Sequence, residues 1–121
     1  MDKTLITSEA APPGGPYSPG IAVGDWVFLA GQIGVGDTIE DQVGYALKRV
    51  TTLLGEAGCT LDDVVSCLVH LSDLSLYQRY NTVYEQHFRE PRPVRTTVGA
   101  TLLGTAALVE FTVTARRPSA D

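Results

Sequence analysis

The stretch IEDQVGYALKRVTTLLGE, residues 39–56, decides the fold because its apolar residues recur with the period of an α-helix. These residues fall on one helical face: Ile39, Val43, Ala46, Leu47, Val50, Leu53 and Leu54. Thr38, with Asp41 three residues later, resembles a capping box at the start, and Gly58 suits the far end. The sequence therefore predicts a first helix over about 39–56.

The segments before this helix predict strands and a long loop. KTLIT, residues 3–7, is typical of a short strand. The four prolines and three glycines of APPGGPYSPG, residues 11–20, exclude both a helix and a central strand. In IAVGDWVFLAGQI, the pair Gly24-Asp25 separates two β-favouring runs, which predicts a hairpin with strands at about 20–23 and 26–30.

The segments after the helix predict a buried strand, a second helix and two further strands. VVSCLVHL, residues 64–71, is apolar and β-branched, as buried strands are. A second helix over about 74–88 would place four residues on one stripe: Tyr77, Asn81, Tyr84 and Phe88. VRTTVGA, residues 94–100, and LVEFTVTA, residues 108–115, complete the chain as strands.

This order of elements predicts one α+β domain over residues 1–121. Two helices can cover only one face of the sheet, so the other face needs a partner. In a chain this short we expect a homo-oligomer to supply it.

The composition excludes several classes of protein. A formal net charge of -5, with only nine Lys and Arg residues, argues against a nucleic-acid binder, although Arg89, Arg92 and Arg95 could form a local anion site. No segment approaches the ~18–20 apolar residues of a membrane span, and the start lacks the apolar region of a secretory signal, so we expect a cytoplasmic protein without a membrane partner. Cys59 and Cys67 are too few for a disulfide framework, and each is expected to be a small buried residue.

No cofactor or metal motif stands out. The chain contains no GxGxxG, Walker, HExxH or GxSxG pattern. His70 and His87 lack companion ligands at useful spacing and are expected to have packing or surface roles. We therefore expect no cofactor and no bound metal.

Strand alternation makes Arg95 a candidate binding residue. Arg95, Thr97 and Gly99 would share one face of their strand, while Glu110, Thr112 and Thr114 share a face of the last strand. As adjacent strands, the two would line one shallow cleft with these polar faces, and Arg95 would be a planar fork for a carboxylate. The alternative is a solvated arginine paired with Glu110 across the sheet.

Five segments together resemble one known family, the reactive-intermediate deaminases, also called YjgF or RidA proteins. They are GPYSP at 15–19, FLAGQI at 28–33, NTVYEQHF at 81–88, PVRTTV at 93–98 and LVEF at 108–111. Their order and spacing match the family from about residue 3 to residue 116.

The resemblance implies a chorismate-mutase-like α+β fold, with two helices on one face of a mixed sheet, that assembles as a homotrimer with clefts between subunits. In members that hydrolyse 2-imino acids, the arginine matching Arg95 binds the substrate carboxylate, and water attacks the imine carbon to release ammonia and a 2-oxo acid. Tyr17 matches a tyrosine that closes the cleft, Gly31 lies in a segment whose backbone lines it, and Asn81 matches a nearby asparagine.

The chain also departs from the family. Thr97 and Ala30 stand where several members have cysteine and serine, and the loop 34–38 is short. Imino-acid deaminases usually carry a glutamate, thought to hold the attacking water, where this chain has Thr112. Thr112 cannot act as a general base at neutral pH, which leaves Glu110, about 6.8 Å along the same face, as the candidate for that role.

Three activities fit these residues. The first is hydrolysis of small 2-imino or enamine acids of the 2-iminobutanoate/2-iminopropanoate type. The second is deamination of an aminomuconate-type intermediate. The third is non-enzymatic binding of small carboxylates by a trimeric regulator.

Overall fold

The structure is a computed structural model that describes residues 2–119, and it is a mixed α+β fold. Its seven strands are β1 Lys3–Ile6, β2 Gly20–Val23, β3 Trp26–Leu29, β4 Gln32–Ile33, β5 Val64–Leu71, β6 Val94–Gly99 and β7 Val109–Arg116. Its α-helices are α1 Ile39–Glu56 and α2 Tyr77–His87. The strands form one sheet in the order β1-β2-β3-β7-β5-β6, and β4 pairs with β7 beside β3. β5 and β6 are parallel, and the other pairs are antiparallel.

Helix α1 has the bounds that its sequence pattern predicts. Thr38 Oγ1 accepts a hydrogen bond from the Asp41 amide at 3.1 Å, which satisfies one of the free N–H groups of the first turn. At the other end Gly58 has φ 78, a left-handed conformation that glycine adopts without strain. All seven apolar residues of the predicted face are buried, together with Gln42.

Helix α2 begins later than predicted, at Tyr77, after a 3-10 turn over Leu74–Leu76. Its buried stripe is therefore Tyr80, Tyr84 and Phe88, while Tyr77 is 38% exposed. The predicted stripe was wrong at Tyr77 and missed Tyr80. The two-residue strand β4 was also missed, because so short a segment shows no periodicity.

The helices cover one face of the sheet, as predicted. Cys67, Val69, Phe111 and Val113 are buried on this face, at most 1% exposed. Both cysteines are free and buried, as predicted.

The opposite face of the sheet is open. Cross-strand register aligns Leu5, Ile21 and Phe28 on it, and Leu5 and Phe28 are 60% and 47% exposed. Neither helix of residues 2–119 is long and apolar enough to span a membrane.

Candidate active site

Arg95 lies on the helix-covered face of β6, above α2. The parallel register with β5 pairs it with the buried Cys67. Its Cζ is 4.9 Å from the Tyr80 ring centroid and 4.7 Å from that of Tyr84. Its Nη2 donates to Tyr77 Oη at 3.0 Å. Three aromatic side chains of one helix thus hold the guanidinium in a fixed orientation.

Arg95 forms no ion pair with any carboxylate of residues 2–119, in contrast to Arg79 and Arg89, which pair with Glu40 and Asp62. Burial raises the pKa of both Tyr80 and Tyr84, so both phenols beneath it stay neutral. The guanidinium therefore keeps free donors and an uncompensated charge, the arrangement that suits a carboxylate ligand.

A groove of about 490 Å³ lies beside Arg95, lined by Gln78, Asn81, Thr82, Tyr84, Glu85, Arg92 and Pro93. Asn81 Oδ1 is buried and has no hydrogen-bond partner within the described residues, although buried polar atoms usually have one. Thr97 Oγ1 lies 2.8 Å from Tyr80 Oη, so it ties β6 to α2. We call Arg95, Asn81 and Thr97 the arginine side.

Glu110 and Thr112 lie on the opposite face of the sheet from Arg95. Glu110 and Thr112 are opposite His70 and Leu68 of β5, whereas Arg95 is opposite Cys67 of β5. Successive side chains of a strand point to alternate faces, so Cys67 points away from the face of His70 and Leu68. β5 also separates β6 from β7, so the two strands are not adjacent. The prediction that the polar faces of these strands line one cleft was therefore wrong within a single chain, and so was the Arg95–Glu110 pair.

Glu110 packs directly against Gly31, which precedes β4. A Cβ atom at residue 31 would stand 2.5 Å from Glu110 Oε2, so glycine is required for the carboxylate to lie there. Gly31 lines a concave pocket together with Tyr17 and Gln32 from neighbouring segments. We call Glu110, Gly31 and Tyr17 the glutamate side.

Arg49 of α1 anchors the loop that carries Tyr17, and sequence reasoning missed it. Its Nη2 donates to Pro12 O at 2.9 Å and its Nε to Gln32 Oε1 at 2.8 Å. Gln32 in turn donates to Ala30 O at 3.0 Å, which connects the hydrogen bonds of Arg49 to the segment around Gly31. An arginine on a helix is ordinary, so no sequence signal marked it.

Gln42 was also missed, although a polar residue within the apolar face of a helix indicates a buried hydrogen-bonding role. It stands three residues after Ile39, within the apolar face of α1, and is 1% exposed. Its Nε2 donates to Gly36 O and Ala106 O, and its Oε1 accepts from Leu108 N at 2.7 Å. It fastens the loop after β4 to the loop before β7.

The two sides do not meet within one chain. Two strand spacings, about 10 Å, separate β6 from β7, and the side chains of Arg95 and Glu110 point to opposite faces. One small molecule cannot contact both groups of one chain. No three His, Cys, Asp or Glu side chains among residues 2–119 are arranged to hold a metal ion.

Comparisons with known proteins agree on one family. A family model described as Endoribonuclease L-PSP matches residues 7–117. A RutC family protein of Saccharolobus solfataricus is 38% identical over 125 residues, covering 97% of this chain and 99% of that protein. A 2-iminobutanoate/2-iminopropanoate deaminase of Dermatophagoides farinae is 32% identical over 118 residues, covering 90% of this chain and 92% of that protein.

A solved structure supports the same relationship. A member of the YjgF/YER057c/UK114 family from Mycobacterium tuberculosis is 35% identical and superposes with a TM-score of 0.85, covering 95% of this chain and 99% of that one. The match extends over nearly the whole chain and includes every segment that carries the candidate residues. The chain belongs to the YjgF/RutC/RidA family.

Proposed function

We propose that the protein is a deaminase that hydrolyses small 2-imino or enamine acids, of the 2-iminobutanoate/2-iminopropanoate type, to 2-oxo acids and ammonia. The observation that carries this proposal is Arg95, a fixed guanidinium without an ion-pair partner among residues 2–119 that faces an open groove. Relatives named as deaminases support the reaction class.

The chemistry divides between the two sides of the site. Arg95 would bind the substrate carboxylate through two parallel N–H donors and so fix the position of the imine carbon. A water oxygen then forms a bond to that carbon as the C=N bond becomes a single bond, and the two protons of the water pass to the nitrogen, the first by way of a carboxylate. The C–N bond then breaks, ammonia leaves, and the water oxygen remains as the carbonyl oxygen of a 2-oxo acid. Glu110 would orient the water and accept its proton, since Thr112 beside it cannot act as a base at neutral pH. Because imines are already electrophilic, positioning and one carboxylate are enough.

The site is completed in a homotrimer, on this proposal. The glutamate side of one subunit would meet the arginine side of its neighbour, which resolves the separation of about 10 Å and the opposite facing of the two groups in one chain. The open face supplies the apolar surface for such an assembly, with Leu5, Phe28 and Leu68 all more than a third exposed.

The direct test generates imines in solution with an amino-acid oxidase and measures the appearance of the 2-oxo acid. We expect the protein to accelerate it, Arg95→Met to abolish the effect, and Arg95→Lys to retain only a small part because an ammonium cannot form the planar fork. Arg79→Met is the matched control, since it removes the same charge from an exposed ion pair. No acceleration with any 2-amino acid would refute the proposal.

Mixing two inactive variants tests the shared site. Arg95→Met and Glu110→Ala subunits, unfolded and reassembled together, would form hybrid trimers in which about a quarter of the clefts receive both intact groups. We expect activity to return to about that fraction. Continued inactivity of folded hybrid trimers would mean that both groups do not serve one cleft.

The two alternative functions, an aminomuconate-type deaminase and a non-enzymatic regulator, predict different outcomes in the same experiments. An aminomuconate-type substrate would show turnover only with the unsaturated dicarboxylate. A non-enzymatic regulator would bind a 2-oxo acid in an Arg95-dependent manner without accelerating hydrolysis. A cytoplasmic location stays a prediction, and relatives include proteins named as chloroplastic and mitochondrial.

A further inference from the structure

His70 is the histidine that faces Glu110 on the open side of the sheet. The two residues are direct cross-strand partners in β5 and β7. His70 Nδ1 lies 3.8 Å from Glu110 Oε1, and the side chains are 27% and 28% exposed. The partner of His70 on its other side, in β6, is the uncharged Val98. Glu110 is therefore the ionisable group that faces the ring across both neighbouring strands.

The Nδ1 atom of His70 lacks a hydrogen-bond partner. It is buried, and no donor or acceptor of residues 2–119 satisfies it. A buried polar atom left in this state destabilises the fold, so a nearby acceptor is favoured. Glu110 Oε1 needs to approach by only about 0.9 Å to reach ordinary hydrogen-bond distance.

The two oxygens of Glu110 face different surroundings. Oε1 is directed to His70, whereas Oε2 lies against the backbone of Gly31, which lines the pocket that contains Tyr17. A hydrogen bond to Oε1 would fix the plane of the carboxylate and hold Oε2 in place beside the backbone of Gly31.

We propose that His70 is a positioning residue for the deamination reaction, which donates from Nδ1 to Glu110 Oε1 so that Oε2 is held ready for the attacking water. This inference rests on the proposed function for the role of Glu110. The histidine acts through the carboxylate and does not contact the substrate.

Kinetics of two His70 variants separate this role from a packing role. His70→Phe keeps an aromatic ring but removes the donor, and we expect kcat to fall about tenfold, the equivalent of one hydrogen bond, with KM unchanged. His70→Asn places an amide N–H near the position of Nδ1, and we expect it to restore most of the loss. An unchanged kcat in the phenylalanine variant, or equal losses in both variants, would overturn the proposal.

A measurement that needs no activity tests the contact itself. Nitrogen-15 NMR of the imidazole rings shows which nitrogen carries the proton of the neutral form. We expect Nδ1 to carry it in His70, and Glu110→Ala to move it to Nε2. His87 is the internal reference, because its Nδ1 already faces the Val83 carbonyl at 2.9 Å and should not respond.

The two tests can fail separately. If the proton of neutral His70 resides on Nε2 in the unmodified protein, the inference is wrong whatever the activity. If the protein deaminates no 2-imino acid while Nδ1 carries the proton and responds to Glu110→Ala, the proposed function fails, and with it the catalytic purpose of the contact.

Discussion

Gly31→Ala is expected to separate activity from stability. The new Cβ would stand 2.5 Å from Glu110 Oε2 and 2.8 Å from its Cδ, both far inside van der Waals contact. Because Gly31 is not among the glycines with positive φ, its backbone accepts alanine without strain. The Glu110 carboxylate is a partly exposed end of a flexible side chain, so it moves by about 1 Å at a cost of roughly 0.5–1.5 kcal/mol. A displacement of about 1 Å in a catalytic group can reduce the rate by ~10²-fold.

The assay is the oxidase-coupled hydrolysis, with urea unfolding at a fixed protein concentration beside it. We expect kcat to fall about 100-fold while the free energy of unfolding changes by less than about 1.5 kcal/mol. Gly44→Ala in α1 is the matched control, since nothing lies within 4 Å of its Cβ position and alanine should stabilise the helix without affecting the rate.

A double-variant cycle identifies the cause of the loss. If Gly31→Ala acts through Glu110, it should cost little further activity in a Glu110→Ala background. Full activity of Gly31→Ala, or an equal additional loss in the double variant, would refute the reasoning.

Three further predictions concern side-chain hydrogen bonds that connect distant segments of the chain. Gln42→Leu removes three partly buried hydrogen bonds of a buried side chain and is expected to lower the free energy of unfolding by about 2–4 kcal/mol in urea titrations, whereas Gln86→Leu on the exposed face of α2 should change little. Arg49→Met should release the loop at residues 12–19 and speed its cleavage by a nonspecific protease, with Arg79→Met as the control that should not. The Arg79 hydrogen bond is the main reason that the pKa of Glu40 is lowered to about 2, with a smaller contribution from a backbone hydrogen bond, so Arg79→Met should raise the NMR-detected pKa of Glu40 part of the way back to its ordinary range.

Local sequence patterns predicted the helices and strands well, because the conformation of each segment depends largely on residues that are close in sequence. The period of α1 and the β-branched run of β5 gave bounds that match the structure. The start of α2 was misplaced because Leu74–Leu76 form a 3-10 turn that residue composition does not distinguish from an α-helix.

The candidate site was harder to predict, since it depends on which strands are neighbours. Alternation correctly grouped Arg95 with Thr97 and Glu110 with Thr112, but it carries no information about strand order. β5 lies between β6 and β7 and keeps the two groups apart, and the register of each pairing points them to opposite faces. The role of Arg49 was likewise invisible, because its partners are a backbone carbonyl and a glutamine distant in sequence.

Trp26, the single tryptophan of the chain, lies on the open sheet face and is 44% exposed. Its fluorescence is thus an intrinsic probe of that surface. If a neighbouring subunit covers the indole, the emission maximum will move to shorter wavelength as protein concentration rises, and the midpoint of that change will measure the association constant without a label.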